Sequence, residues 1–216
     1  MVDTIITSLF ETNTYLYQTT PNHIVVIDPG SNAKEIFNRI KDSFVTVDAI
    51  LCTHGHFDHI AAVGELKNLI EDKQATPLVV AASSLDKNYF GKMALEYHKK
   101  IFSPFQLGES FFDVVPIPDI DIDLNETKHF LTFTVIKTPG HTKGSICLFD
   151  EQKNILFTGD TIFAVGEGRC DLEDGNSLKL KESILQLLQL PKECVIYPGH
   201  GMPSTINLIA KNYSLF

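Results

Sequence analysis

Short runs of alternating apolar and polar residues open the chain, and the period lengthens further along. Thr4–Phe10, Asn13–Tyr17 and His23–Ile27 are β-rich runs separated by polar residues, which predicts strands. Asp28-Pro29-Gly30 follows as a turn. Ala33–Lys41 then carries Ile36, Phe37 and Ile40 at helical spacing. Val47–Cys52 is a compact apolar run, predicted as a buried strand that delivers the chain directly to His54. From about Asp58 to Glu71, Ile60, Val63, Leu66 and Ile70 fall on one face of a predicted helix. Pro77–Ala82 predicts a further short strand. Residues 84–125 are the least regular part, with helical spacing around Met93–Lys100. The acidic stretch Asp119-Ile120-Asp121-Ile122-Asp123 then reads as a solvated loop or an edge strand.

The second half repeats the style of the first. Phe130–Lys137, Ser145–Asp150 and Ile155–Phe157 are strand-like. Leu178–Leu190 has leucines at helical spacing and is stopped by Pro191. Cys194–Tyr197 predicts a last buried strand, and Ile206–Lys211 a short final helix. No Gly/Ser linker or low-complexity segment divides the chain, so residues 1–216 are expected to form one domain of two β-rich halves with helices outside.

Composition narrows the function classes. The 216 residues are 44% hydrophobic and 21% charged, an ordinary globular balance. A net charge of -9 argues against nucleic acid as the main partner, since phosphate binding needs a basic footprint. Cys52, Cys147, Cys170 and Cys194 form no CxxC pair, which points to free thiols in a reducing compartment. Cys170 is expected to be a packing thiol. The start Met1-Val2-Asp3-Thr4 lacks a basic n-region, and no apolar window approaches membrane-span length. These readings lead to the expectation of a cytoplasmic protein with no membrane or nucleic-acid partner. Oligomeric state has no signature in the sequence.

Three of the eight histidines fall between positions 54 and 59, in Thr53-His54-Gly55-His56-Phe57-Asp58-His59. In an extended segment His54 and His56 point the same way. Asp58 and His59 sit where the chain turns into a helix. Three imidazoles and a carboxylate from one strand-end loop suit zinc or a similar borderline metal. Thr138-Pro139-Gly140-His141 and Tyr197-Pro198-Gly199-His200 each project a histidine from a strand end on a stiffened turn. Gly159-Asp160-Thr161 follows the run Ile155–Phe157 in the same manner. His23, His98 and His129 lack such settings and read as surface or packing histidines.

His54-Gly55-His56-Phe57-Asp58-His59 is similar to the HxHxDH signature of the metallo-β-lactamase superfamily, and His141, Asp160 and His200 match its later ligand positions in order. The resemblance covers nearly the whole chain. It implies an α/β fold, a four-layer αβ/βα sandwich with metals between the two sheets at one edge. It implies that His54, His56 and His141 hold one metal, that Asp58, His59 and His200 hold the other, and that Asp160 bridges them. Two divalent ions would then be the cofactors, zinc first, with iron or manganese compatible with the same donors. Such a pair activates a bridging hydroxide for attack on a carbonyl or phosphorus. Asp58 gains a second, catalytic role in orienting the hydroxide or leaving group.

Gly159-Asp160-Thr161-Ile162-Phe163 with Gly168-Arg169-Cys170-Asp171 resembles the glyoxalase II branch (hydroxyacylglutathione hydrolases), and the ending Tyr197–Gly201 with Ser204-Thr205 resembles its short members. The implied reaction is hydrolysis of a glutathione-type thioester such as S-D-lactoylglutathione. Longer members carry a C-terminal helical domain that supplies glutathione contacts; 16 residues follow His200 here. Lys143 and Arg169 are candidates to bind a substrate carboxylate. A mononuclear-iron persulfide dioxygenase shares much of the ligand set and is the alternative reading. Lactonase, β-lactamase and phosphodiesterase activities rank below it, and a dead scaffold is disfavoured because no ligand position is missing.

Overall fold

The computed structural model describes residues 1–7, 10–41 and 45–213, with the backbone alone at position 212. Two six-stranded sheets pack face to face. The first contains β1 (Val2–Thr7), β2 (Thr12–Thr20), β3 (His23–Ile27), β4 (Thr46–Leu51), β5 (Val79–Ala82) and β6 (Ile122–Asp123), adjacent in chain order. β1 to β3 are antiparallel, whereas β3 to β6 run parallel. The second contains β7 (His129–Phe130), β8 (Phe133–Lys137), β9 (Ile146–Asp150), β10 (Ile155–Gly159), β11 (Val195–Pro198) and β12 (Ser204–Thr205), also in chain order. Among the described residues its one parallel pair is β10 with β11.

Period-2 alternation explains the layering. Val25, Ile27, Ala49 and Leu51 face inward and meet Phe133, Val135, Ile146, Leu148 and Phe157 from the second sheet. Their neighbours Ile24, Val26 and Ile50 face outward onto α1 (Ala33–Ile40), α2 (Phe57–Ile60), α3 (Val63–Glu71) and α4 (Ala94–Ile101). On the far side Cys147, Phe149, Leu156 and Ile196 pack on α5 (Ser177–Leu187) and α6 (Ile206–Tyr213). The order helix, sheet, sheet, helix is the α/β four-layer sandwich expected from the sequence.

The elements differ from the sequence reading in instructive places. The run Thr4–Phe10 begins its strand earlier and ends it at Thr7; positions 8 and 9 lie outside the described residues. The helix expected over about Asp58–Glu71 is two helices, broken at Ala61-Ala62, where the Ala62 N–H donates to the Pro29 carbonyl. The irregular segment supplies 3₁₀ turns at Ser84–Tyr89, Ser103–Phe105 and Glu109–Phe112. Its acidic stretch is the sheet edge: Asp121 Oδ2 accepts from the Val80 N–H and Asp123 Oδ1 from the Ser84 N–H. No helix among the described residues is long and apolar enough to cross a membrane.

Candidate metal centre

Five of the seven sequence-predicted ligands lie in segments that follow a strand end, and the other two, Asp58 and His59, lie in α2. β4 leads through Cys52-Thr53 to His54, and His56 (φ -66°, ψ 145°) keeps the chain extended until α2 begins. β8 leads to His141, β10 ends at Gly159 beside Asp160, and β11 ends at Pro198 before His200. The structure brings all seven together. His54, His56 and His141 form one cluster and Asp58, His59 and His200 another, with the donor atoms of each within 4.8 Å of one another. Asp160 lies between them. Its Oδ2 is 3.5 Å from His141 Nε2 and 3.4 Å from His200 Nε2, and its Oδ1 is 3.4 Å from His59 Nε2.

The imidazoles are aimed by their other nitrogens. His54 Nδ1 donates to Thr53 Oγ1 at 3.0 Å, and His59 Nδ1 to Asp28 Oδ2 at 3.0 Å. His141 Nδ1 donates to the Arg169 carbonyl at 2.7 Å, and His200 Nδ1 to the Phe10 carbonyl at 2.9 Å. With each Nδ1 engaged in this way, each Nε2 is the atom that faces inward, as in metal-binding histidines. Nε2 of His54, His56 and His141 is buried with no hydrogen-bond partner, and so is Asp160 Oδ1. Buried polar atoms are ordinarily paired, so several converging orphans need a shared partner. Imidazole nitrogens and carboxylate oxygens in this arrangement fit divalent metal ions.

Electrostatics separates the two clusters. Burial, aided by neighbouring imidazoles, holds His54 and His56 well below the usual histidine range and also lowers His141. In the second cluster burial opposes charge, but Asp160 and Asp58 raise His59 well above its ordinary value and His200 to about 9. Burial works against ionisation of Asp58 too, yet His59 and His200 bring it down to about 2, and Asp160 is likewise held low.

Sequence reasoning missed the residues that brace this set. Asp28, read as part of a turn, adopts φ 50°, and its carboxylate accepts from the Thr53 N–H (2.7 Å), Thr53 Oγ1 (2.6 Å) and His59 Nδ1. Asp28 also groups with His54 and His59, but these hydrogen bonds occupy its oxygens, so it supports the ligands. Thr12 Oγ1 donates to Asp58 Oδ2 at 2.9 Å. The only hint of these roles in the sequence is that Asp28 ends an apolar strand, as Asp160 does.

A pocket of about 180 Å³ opens over the clusters, walled by Phe10, Phe102, Phe105 and Leu172, with Arg169 at its side. The Arg169 guanidinium lies over the Phe105 ring, 4.8 Å from its centroid, and pairs with Asp171 at 2.8 Å. Lys143, the other expected substrate contact, lies elsewhere: its Nζ pairs with Asp174 at 2.8 Å beside a separate hollow lined by Lys137 and Lys179. Of the remaining histidines, His98 is buried against Phe57 and Tyr89, and His23 pairs with Asp48.

A sequence-family profile described as the metallo-beta-lactamase superfamily matches residues 7–200. The chain is similar to the hydroxyacylglutathione hydrolase GloC of Haemophilus influenzae, with 29% identity over 95% of this chain and 92% of that one. It also resembles the crystal structure of the BLEG-1 B3 metallo-beta-lactamase, at 27% identity and TM-score 0.84 over 98% and 97% of the two chains. TTHA1623, crystallised in a di-iron-bound form, matches at 29% identity and TM-score 0.81 over 97% and 98%. Fold, ligand order and profile agree: the chain belongs to the metallo-β-lactamase superfamily and is a metallo-hydrolase.

Proposed function

We propose that this chain, as one catalytic unit over residues 1–216, hydrolyses glutathione-type thioesters with two divalent metal ions. The observation that carries the metal reading is the pair of His/Asp clusters sharing Asp160, with inward Nε2 atoms that have no protein partner. His54, His56 and His141 would hold one ion, Asp58, His59 and His200 the other, with Asp160 between. The di-iron form of TTHA1623 supports a pair in such a site. When bound, the ions supply Lewis acidity for the scissile carbonyl and for water.

The protein groups do the rest. Asp28, Thr53 and the Phe10 and Arg169 carbonyls fix the imidazole tautomers. Phe10, Phe102, Phe105 and Leu172 give the pocket apolar walls, and a substrate seated against them would displace water and strengthen electrostatics there. Asp58 stays ionised and is oriented by Thr12, so it can align the attacking water or the leaving group. Arg169 offers the pocket a cation for a substrate carboxylate. The thioester class is supported by the Haemophilus influenzae hydroxyacylglutathione hydrolase, which this chain matches over 92% of that protein's length.

The test couples metal content to a substrate panel: a glutathione thioester, glutathione persulfide, a lactone, a β-lactam and a phosphodiester. Chelator-sensitive thioester hydrolysis restored by zinc, iron or manganese is the expected result. His56→Ala and Asp160→Ala should each lose bound metal and at least about 100-fold in activity, the scale of removing an electrostatic catalytic group. One iron per chain with oxygen uptake on the persulfide would instead establish the dioxygenase reading.

A further inference from the structure

The three histidines of the first cluster come from two loops far apart in sequence, and one buried carboxylate outside the ligand set joins them. Asp86 is 1% exposed and sits in the 3₁₀ turn Ser84–Tyr89. Its Oδ2 accepts from the Gly55 N–H at 2.9 Å, and Gly55 lies between His54 and His56. The same oxygen accepts from Thr142 Oγ1 at 2.7 Å, next to His141. Its Oδ1 accepts from the Gly144 N–H at 2.7 Å, in the same loop.

Close approach is built into both loops. A Cβ at Gly55 would lie 2.4 Å from the Tyr89 ring, and one at Gly144 would lie 2.5 Å from the Asp86 carboxylate. The glycines therefore admit the turn against both ligand loops. Tyr89, from the same turn, packs edge-on against the His56 ring at 5.6 Å. Its hydroxyl donates to Asp174, which also holds Lys143.

We infer that Asp86 is a positioning residue that sets the spacing of His54 and His56 relative to His141, and with it the metal affinity of the first cluster. Three donors converge on two oxygens, so the group must be acceptor-only. An amide has one acceptor oxygen and would turn its NH₂ toward a donor. Outer partners of this kind typically carry about 10–100-fold of metal affinity. The inference rests on reading the cluster as a metal site.

The experiment measures zinc affinity by chelator competition, and thermal stability without metal, in the intact protein. Asp86→Asn should weaken the first cluster's zinc binding about 10–100-fold. Thr142→Val, which keeps the carboxylate and removes one donor, should weaken it less and in the same direction. Leu187→Ala, in the core beneath the second sheet, serves as the control: it should lower thermal stability and leave zinc affinity unchanged. If Asp86→Asn does not fold, Thr142→Val against Leu187→Ala decides. Affinity losses no larger than the control's would overturn the role of Asp86 alone. A wild-type chain that binds no zinc would remove the metal reading itself.

Discussion

In the metal-free protein, a proton and a metal ion compete for His200. Asp160 and Asp58 raise its imidazole to about 9 against the cost of burial, so it is protonated at neutral pH. A metal must expel that proton, and the pair shares only one: His59 Nε2 lies 3.3 Å from His200 Nε2, so the two cannot both carry a proton there. Below the imidazole pKa, each displaced proton weakens apparent affinity about tenfold per pH unit. His54, His56 and His141 are held low by burial and have no such proton to lose. The sign follows: affinity at the second cluster rises with pH towards 9, while the first changes little. Dialysis at pH 6 should leave about one ion per chain, and at pH 8.5 two. Equal loss from both clusters, or none, would contradict the assignment.

At the scale of elements, the turn after β11 shows how tightly backbone and ligands are fitted. A Cβ on Gly199 would stand 2.1 Å from Asp160 Oδ1 and 2.7 Å from His59 Cε1. Gly199→Ala should therefore displace ligands, lowering metal content and costing about 1–3 kcal/mol, the usual effect of overpacking. Gly201→Ala is the informative contrast: the backbone has φ +76°, but nothing lies within 4 Å of the new methyl. It should cost about 1–2 kcal/mol of backbone strain and leave metal content intact. Denaturation with metal analysis separates the two.

The ligands were legible because each carries a local mark: three histidines in six positions, or a strand followed by Pro-Gly-His or Gly-Asp. The sandwich was legible from period-2 runs and the family resemblance. Asp86 was not, because it lies in short turns without periodicity. The Phe10 carbonyl was not, because its partner His200 is 190 positions away. The helix break at Ala61-Ala62 was hidden by continuous apolar spacing; it arises from a tertiary hydrogen bond to Pro29.

For the whole molecule, the first sheet's loops supply His54, His56, Asp58 and His59, and the second sheet's supply His141, Asp160 and His200. The core between and outside the sheets is built from apolar side chains that include none of the seven ligands, with Tyr17, Phe133 and Phe157 interlocked by ring contacts of 5.2–6.1 Å. The chain should therefore refold cooperatively in chelator, with its circular dichroism retained, and recover activity when metal is added afterwards. Refolding that requires metal, as in zinc fingers, would contradict this.

The hairpin of β1 and β2 meets the Tyr197–Gly201 turn directly: the Asn13 N–H donates to the Gly199 carbonyl, its side chain to Pro198 and Gly201, and Thr12 bridges His200. During synthesis those partners are made almost a whole chain apart. Asp58 and His59 stand about 140 positions before His200, so the second cluster takes shape only once distant parts of the chain have met. The cluster is thereby a reporter of the finished fold: whatever loosens this seam between the hairpin and the last turn should show first as lost metal.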